Sequence, residues 1–336
     1  MPNQPRITRL RKLAFAAAFA LCVFAAPAFA QPDPNQRTGT TVADAPSTHY
    51  RFDSFVVNSV DGGGQRWRIR LAVPRQRAPA QGFAALYLLD GNAALMEFDA
   101  ELLARLARGR APVLVFVGYD NDLRIDSAAR TRDYTPSAVA DTDGAGPRGG
   151  GAEAFARALV ERIQPQVRRR ARIDRSHEAL WGHSLGGLFV LDLLYTRGDA
   201  FAQWFSASPS LWWDRGRELG EPERRFLREP LRRRAQVTIL QGGREREARA
   251  PVESADAARA AAHRARIAAV PADAARQLAS RLQAKPGVTA CYREFAELGH
   301  GPMLRASARA AALAMAADPA RGCAADGSES AAPMER

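Results

Sequence analysis

The feature that most constrains the fold is a serine between two glycines, placed where an apolar run meets an amphipathic stretch. Residues 179–181 (ALW) form the run, residues 182–186 read GHSLG, and residues 188–194 (LFVLDLL) have helical spacing. This order predicts a strand, a sharp turn and a helix, with Ser184 at the turn. A turn this tight leaves little room for side chains, which would explain both flanking glycines. Ser184 is therefore predicted to be a nucleophile, and the alternative is an ordinary glycine-rich turn.

Apolar runs of strand length alternate with helical stretches along most of the chain. The runs that predict strands lie at 50–59, 66–73, 83–89, 112–118, 179–183, 201–206, 236–240 and 288–295. Helical spacing lies between several of them, notably at 93–108, 152–170, 255–283 and 302–317. This alternation predicts an α/β fold with a mostly parallel sheet and helices on both faces. The first two strands, joined by DGGG at 61–64, predict an antiparallel N-terminal edge.

The first 30 residues have the composition of a secretory signal peptide. Four cationic side chains between residues 6 and 12 precede an apolar run at 13–26, which is short for a membrane span. Residues 28–30 (AFA) then form a small-residue cleavage site. We predict a protein exported to the periplasm or secreted, with a retained membrane anchor as the alternative. No later stretch is apolar enough to predict a span.

The rest of the chain is predicted to form one domain, at 48–323. A polar, proline-containing segment at 31–47 predicts a flexible leader, and the polar residues 324–336 predict a disordered tail. Cys291 and Cys323 would remain after cleavage, and an even number of cysteines in an oxidising compartment predicts a disulfide between them. No C-x-x-C motif or His/Cys cluster indicates a metal, and no cofactor is predicted.

A serine hydroxyl is a poor nucleophile until a base removes its proton. The predicted base is His300, in the sequence LGHGPM at 298–303, on a glycine-flanked loop after the last predicted strand. This position fits a chain order of serine, acid and histidine. The alternative bases are the other histidines: His49, His177, His183 and His263.

The acid is predicted to follow the strand at 236–240. Glu245 is the first choice in the loop there, and Glu247 and Asp214 are alternatives. A Ser–His dyad without an acid is also open, because the acid chiefly orients and stabilises the imidazole.

Two backbone N–H groups are needed to stabilise an oxyanion. Leu185, directly after the serine, is predicted to supply one. Gly91 or Asn92, in the turn after the strand at 83–89, is predicted to supply the other. Asn92 could equally cap the helix that follows, and the two roles are compatible.

The segment at 120–151 shows little regular pattern and is predicted to be a long binding loop. Within it, Arg130 is predicted to contact an anionic substrate group, or else to form a salt bridge, and Tyr134 to stack on a substrate ring. Trp212 is predicted to line the acyl pocket, with a place in the core as the alternative. The net charge of +12, or +8 (12 − 4) without the four cations of residues 1–30, indicates either an ordinary solvated basic surface or attraction of an anionic ligand. No nucleic-acid-binding motif is present.

Five segments in this order resemble one group of α/β-hydrolases. They read YLLDGN at 87–92, RDYTP at 132–136, WGHSLGGLFVLD at 181–192, SASPS at 206–210 and LGHGPM at 298–303. The group contains siderophore esterases that cleave the trilactone of enterobactin and salmochelin, beside other small carboxylesterases. The resemblance implies Ser184 as nucleophile, His300 as base and Arg130 at a substrate-contacting position. It also implies a dyad, which weakens the case for Glu245, and Leu185 stands where the trilactone esterase has tyrosine.

The residues and the resemblance together predict a serine esterase that needs no cofactor. Its predicted substrate is a small ester, a metal-free or ferric siderophore or a related catecholate ester. One alternative is a broad-specificity carboxylesterase acting on short acyl or aryl esters. The other, from a different class, is a non-catalytic periplasmic binding protein on a hydrolase scaffold.

Overall fold

A computed structural model describes residues 35–59, 63–139, 148–247 and 257–317. The predicted signal peptide at 1–30, the predicted tail at 324–336 and Cys323 lie outside the described residues, so those assignments stay predictions. Cys291 is disulfide-bonded, and its pairing with Cys323 likewise stays a prediction. Among the described residues, no helix is long and apolar enough to cross a membrane, and no three His, Cys, Asp or Glu side chains are grouped to hold a metal ion.

One eight-stranded sheet forms the centre of the domain. Its strands are β1 (Tyr50–Asn58), β2 (Arg66–Pro74), β3 (Phe83–Leu88), β4 (Val113–Tyr119), β7 (Ile173–His183), β8 (Gln203–Ala207), β9 (Ala235–Gly242) and β10 (Val288–Phe295). They lie in the order β1-β2-β4-β3-β7-β8-β9-β10. Strand β2 is antiparallel to both of its neighbours, and the other pairs are parallel. The predicted parallel sheet with an antiparallel N-terminal edge is confirmed.

Helices cover both faces of this sheet. They are α1 (Gly91–Met96), α2 (Ala100–Ala107), α3 (Ser127–Tyr134), α4 (Ala152–Arg157), α5 (Gln164–Arg170), α6 (Leu185–Thr196), α7 (Glu221–Arg228), α8 (Ala257–Ala268), α9 (Ala274–Gln283) and α10 (His300–Ala316). A π-helical turn, Ala158–Ile163, joins α4 to α5, and 3-10 helices span Val42–Asp44 and Trp213–Leu219.

The side chains of β3 show why the sheet is buried on both sides. Successive residues of a strand point to opposite faces. Ala85 and Tyr87 belong to the apolar cluster that includes α6 and α9, whereas Leu86 and Leu88 belong to the cluster that includes α2 and α10. A strand with two packed faces carries a continuous apolar sequence, which is the pattern of residues 83–89.

The segment at 120–151, predicted to be irregular, contains regular structure. Helix α3 begins there because the Asp126 carboxylate caps it and accepts a hydrogen bond from the Ala129 N–H at 2.9 Å. A short hairpin follows, with β5 (Ala138–Val139) paired to β6 (Arg148–Gly149).

The helical stretch predicted at 255–283 is interrupted in the structure. Helix α8 ends at Ala268 and α9 begins at Ala274. Pro271 lies between them, and proline has no N–H to continue a helical hydrogen-bond ladder.

Part of the predicted leader at 31–47 is attached to the domain. Arg37 forms a β-bridge with Leu123, and the Thr38 N–H donates to the Asp122 carbonyl at 2.9 Å. The turn that follows is closed by a capping box between Thr41 and Asp44. Residues 37–44 are therefore held against the loop that follows β4, where the sequence predicted a flexible segment.

Candidate active site

Ser184 lies at the sharp turn between β7 and α6, as the sequence predicted. Its backbone has φ 61° and ψ −117°, a left-handed conformation that costs a non-glycine residue about 1–3 kcal/mol. The turn is held on two sides. The Ser184 N–H donates to the Ala207 carbonyl at 2.9 Å, and the Ser184 carbonyl accepts from the Leu188 N–H at 3.0 Å.

The glycines around the serine are not equivalent. A Cβ on Gly182 would lie 2.3 Å from the Gly186 carbonyl oxygen, and one on Gly187 would lie 2.7 Å from the Ala207 carbonyl oxygen. A Cβ on Gly186 would come no closer than 3.6 Å to Leu89, which is ordinary contact. The expectation that both glycines of the GHSLG motif lack space is therefore wrong for Gly186. The second crowded position is Gly187, because the neighbouring strand β8 lies against it.

The structure brings the three predicted catalytic residues into one chain of hydrogen bonds. Ser184 Oγ lies 3.1 Å from His300 Nε2, and His300 Nδ1 lies 3.1 Å from Glu245 Oε2. His300 is the first residue of α10, with Gly299 as N-cap, so the predicted glycine-flanked loop is a helix start. This arrangement has the order and geometry of a nucleophile, a base and an orienting acid.

The Glu245 carboxylate is satisfied on every side. Oε1 accepts from the Ser208 hydroxyl and from the Gly242 N–H at 2.8 Å, and Oε2 accepts from Gln241 Nε2 at 2.7 Å. Burial raises the pKa of this carboxyl, but the hydrogen bonds from His300, Ser208 and Gly242 outweigh burial and hold the pKa below its usual value. Glu245 is therefore ionised at neutral pH.

The alternative acid Glu247 lies on the surface. It pairs with Arg244 at 2.7 Å, and about half of each side chain is exposed. Among the described carboxylates, Glu245 is the one that contacts His300.

His183 packs against His300. The two imidazole rings are 4.7 Å apart, and His183 Nε2 lies 3.0 Å from the His300 carbonyl oxygen. Burial, followed by the charges of His300 and Arg130, holds the pKa of His183 well below its usual value. A neutral His183 donates its Nε2–H to that carbonyl. This bond fixes the first residue of α10 to β7, the elbow strand, which ends at the sharp turn (the elbow) around Ser184.

The predicted oxyanion donors Leu185 and Gly91 each begin a helix. The first N–H groups of a helix have no acceptor within it and carry the positive end of its dipole. Their role in catalysis stays a prediction.

Asn92 has a structural position. Its side-chain Oδ1 accepts from Arg70 Nη1 at 2.9 Å, and its Nδ2 donates to the Leu123 carbonyl at 2.9 Å. The side chain thus ties the loop after β4 to α1. The N-cap of α1 is Asp90, which corrects the expectation that Asn92 caps this helix. Backbone donation by Asn92 to an oxyanion stays a prediction.

Arg130 is engaged in a buried ion pair. Its guanidinium binds both carboxylate oxygens of Asp90, at 3.0 and 2.9 Å, and reaches the His183 carbonyl at 3.3 Å. The exposed fractions of the Arg130 and Asp90 side chains are 13% and 3%. The salt bridge that the sequence allowed is therefore formed, and direct contact with a substrate stays a prediction.

Tyr134 is a core residue, which corrects its predicted role in stacking on a substrate. It is 1% exposed and lies against the rings of Tyr119, Phe155 and Phe189. Its hydroxyl accepts a hydrogen bond from the Asp90 N–H at 2.9 Å. The last residue of α3 faces the core because the helix packs on α4 and α6.

Trp212 is half-buried and contacts α8. Its ring meets the His263 ring edge-on at 4.7 Å, and the Arg266 guanidinium lies 5.3 Å from its centre. Trp212 comes two residues after Ser210, whose hydroxyl contacts the Ser184 hydroxyl. Its place in an acyl pocket stays a prediction.

A cavity of about 710 Å³ lies away from these residues. It is lined by the C-terminal end of α6 and by residues near Arg233. Helix α6 has twelve residues, so its two ends lie about 18 Å apart. Ser184 is at one end and the cavity is at the other.

Sequence reasoning missed the serines that follow β8. Ser208 donates to Glu245, and Ser210 Oγ lies 3.2 Å from Ser184 Oγ. Both are almost fully buried, with 2% and 3% exposure. The run SASPS at 206–210 could have indicated them. It ends the strand next to β7, and neighbouring parallel strands end at the same edge of the sheet, where Ser184 lies.

Comparisons with known proteins place the chain in a family. Residues 62–277 match the model of the family described as Putative esterase. The chain is 36% identical to an apo-salmochelin esterase of Escherichia coli over 302 residues, which cover 87% of each protein. It is 32% identical to the ferri-bacillibactin esterase BesA of Bacillus subtilis over 250 residues, covering 70% of this chain and 79% of the relative.

A solved structure agrees with this assignment. The enterobactin hydrolase IroE in a complex with DFP is 36% identical to the chain and superposes with a TM-score of 0.66. The match covers 82% of this chain and 99% of that one. The resemblance to siderophore esterases of the α/β-hydrolase fold is thereby confirmed, and the chain belongs to this esterase family.

Proposed function

We propose that this esterase is a serine hydrolase that cleaves the ester bonds of a siderophore trilactone. The observation that carries the proposal is the chain of 3.1 Å contacts from Ser184 through His300 to Glu245. Catalysis by a serine requires a base within hydrogen-bond reach and a group that orients the base. All three are present in a chain that belongs to an esterase family.

In the first half of the reaction, Ser184 Oγ attacks the ester carbonyl while His300 Nε2 takes the hydroxyl proton. The new C–O bond moves the carbonyl electron pair onto oxygen, and the N–H groups of Leu185 and Gly91 are the proposed donors to that oxyanion. The electron pair of the oxyanion then re-forms the carbonyl, and the bond from carbon to the alkoxy oxygen of the ester breaks. His300 gives its proton to that oxygen, so the alcohol leaves and the acyl group stays on Ser184.

In the second half, a water molecule attacks the acyl carbonyl and gives a proton to His300. The bond between the acyl carbon and Ser184 Oγ breaks, and His300 returns the proton to that oxygen. Glu245 accepts from His300 Nδ1 throughout, so it stabilises the imidazolium that forms twice in each cycle.

The substrate class is supported by the relatives and by charge. The similar proteins include an apo-salmochelin esterase and a ferri-bacillibactin esterase. The net charge of +12, which becomes +8 (12 − 4) without the four cations of residues 1–30, favours encounter with an anionic ligand such as a catecholate. With its contacts to Asp90 and the His183 carbonyl in place, Arg130 fixes the turn after β3 to the end of β7. Direct contact with a substrate would require one of these bonds to be exchanged.

We also propose that the protein acts after export, in the periplasm or outside the cell. The support is the basic start, the apolar run and the AFA cleavage site in residues 1–30. Mass spectrometry of the N-terminus, recovered from a cell fraction, would test this directly: cleavage after Ala30 is expected.

The activity is tested by incubating the purified protein with metal-free enterobactin, ferric enterobactin and p-nitrophenyl acetate. We expect linear trimer and shorter products from the trilactone, and we expect Ser184→Ala to lower kcat by about 10⁴-fold or more. Ser280→Ala on the surface of α9 is the matched control and should keep the wild-type rate.

Each other result has a defined meaning. Fast turnover of the aryl ester alone would favour the broad-specificity carboxylesterase. Failure of a fluorophosphonate probe to label folded wild-type protein would favour a binding protein. Wild-type turnover by Ser184→Ala would overturn the serine mechanism.

A further inference from the structure

A hydroxyl outside the catalytic triad touches the reacting oxygen. Ser210 Oγ lies 3.2 Å from Ser184 Oγ, and the Ser210 N–H donates to the Ser184 carbonyl at 3.1 Å. Ser210 is therefore held on the nucleophile at two points. Its side chain is 3% exposed, so water does not compete freely for this contact.

The direction of each hydrogen bond follows from the number of protons available. Glu245 is a carboxylate and can only accept, so His300 Nδ1 must carry the proton that lies between them. A neutral imidazole then has a lone pair on Nε2, which accepts the single proton of Ser184. The Ser184 proton is thereby used, and the proton between the two serines has to come from Ser210.

We propose that Ser210 is a further catalytic residue, whose hydroxyl donates to Ser184 Oγ and completes a one-directional relay from Ser210 through Ser184 and His300 to Glu245. Hydrogen bonds that run in one direction polarise one another. This inference rests on the proposed serine mechanism and adds a fourth member to it.

In this relay Ser210 stabilises negative charge on Ser184 Oγ and does not transfer a proton itself. When Ser184 gives its proton to His300, negative charge develops on Oγ before the bond to carbon is complete. The same charge develops when the acyl bond breaks and before His300 returns the proton. In both steps the Ser210 O–H donates to the charged oxygen and keeps its own hydrogen.

The segment that carries Ser210 is built rigidly around the triad. Ser208 has a left-handed backbone with φ 43°. Its N–H donates to the Leu240 carbonyl of β9 at 2.7 Å, and its hydroxyl donates to Glu245.

The two preceding residues join this segment to the turn at Ser184. The Ala207 carbonyl accepts from the Ser184 N–H, and the Ser206 hydroxyl donates to the Gly187 carbonyl at 2.9 Å. Strain of this kind persists where neighbouring contacts impose it.

The test is the second-order rate at which a fluorophosphonate labels Ser184, measured beside kcat and KM for p-nitrophenyl acetate. Ser210→Ala should lower the labelling rate and kcat about tenfold to hundredfold, the effect of one hydrogen bond to a charged oxygen, with KM almost unchanged. Ser210→Thr keeps the hydroxyl and should recover most of the rate.

Two comparisons separate chemistry from stability. Ser307→Ala removes another fully buried hydroxyl, which bonds to the Met303 carbonyl and to Trp181, and should lower Tm without changing the labelling rate. Adding Ser210→Ala to a His300→Ala protein should cost less than twofold, because the relay is already broken, whereas a merely structural residue would cost the same in both backgrounds.

The inference fails if Ser210→Ala labels at the wild-type rate while the wild type labels normally. It also fails if the loss is as large in the His300→Ala background. Absence of labelling in the wild type would instead sink the proposed serine mechanism. Normal labelling without cleavage of enterobactin would leave Ser210 in place and refute only the substrate assignment.

Discussion

At the residue scale, the hydrogen bonds of the site depend on which atom carries each proton as well as on residue type. Glu245 is held as a carboxylate by four donors, and this decides that His300 presents a lone pair to Ser184. Neutral His183 donates its Nε2–H to the His300 carbonyl and so fixes the backbone that carries the His300 ring. In each of these hydrogen bonds, one group supplies the proton and its partner can only accept it.

Glu245→Gln is the sharpest test of a triad against a dyad. The amide would present N–H groups to the donors that now meet a carboxylate, and it could not stabilise the imidazolium, so kcat should fall about 10²- to 10⁴-fold. Glu247→Gln, two residues further along the same loop but on the surface, should keep the wild-type kcat.

The measurement is kcat for the aryl ester with the Tm of each variant. A fall of less than about threefold in folded Glu245→Gln would show that the enzyme works as the dyad implied by the resemblance. Loss of Tm without loss of kcat would assign Glu245 to stability.

At the element scale, the strand–turn–helix unit is shaped by the strand beside it. The Ala207 carbonyl of β8 accepts from the Ser184 N–H and also occupies the space where Gly187 would carry a side chain. Strand β8 therefore both holds Ser184 and requires a glycine at position 187. The turn at 182–187 therefore depends on β8 as well as on its own sequence.

Two glycine substitutions separate crowding from helix propensity. Gly187→Ala should destabilise the protein by about 1–3 kcal/mol, because its Cβ would meet a backbone carbonyl that cannot move without releasing Ser184. Gly186→Ala, one residue earlier in α6, has room for a methyl group and should change stability by less than about 1 kcal/mol. Urea unfolding of both variants measures this, and equal losses would contradict the crowding argument.

At the scale of the whole molecule, two buried carboxyls outside the active site make stability depend on pH. Burial raises the pKa of Asp192 to about 6 and that of Glu218 to about 7. Glu153 adds to the raised pKa of Asp192, and Arg217 and Arg225 oppose it. Asp192 and Asp214 add to the raised pKa of Glu218, and Arg217 opposes it. Glu218 Oε2 also has no hydrogen-bond partner among the described residues.

The sign of the effect follows from the raised pKa values. Between about pH 4 and pH 7 the folded protein binds protons at these carboxyls that the unfolded chain releases, so their contribution to stability is lost as pH rises. The free energy of unfolding of the wild type, relative to Glu218→Gln, should therefore fall by roughly 2 kcal/mol from pH 5 to pH 8.

Urea unfolding at pH 5, 6, 7 and 8 measures that difference. Glu221→Gln is the control, because Glu221 is exposed and its pKa is lowered by Arg228 and Arg224, so it stays ionised across this range. A constant difference between the wild type and Glu218→Gln at all four pH values would refute the argument.

The sequence by itself determined the α/β fold class and the strand–turn–helix unit around Ser184, and it singled out His300 as the predicted base. Each of these rests on local information: the period of apolar residues, glycines beside Ser184, and His300 directly after the last strand. The family resemblance, carried by short motifs, was also readable without a structure. Boundaries were less well predicted where a cap such as Asp126 or a proline such as Pro271 decided them.

Only the tertiary structure decided which side chains share a proton or a charge. Tyr134 turned out to be core, Arg130 to be paired with Asp90, and Ser208 and Ser210 to reach the two ends of the triad. The physical reason is that these contacts join residues far apart in the chain. The contacts of Ser208 and Ser210 depend on β8 lying between β7 and β9, and periodicity within a segment carries no information about its neighbours in the sheet.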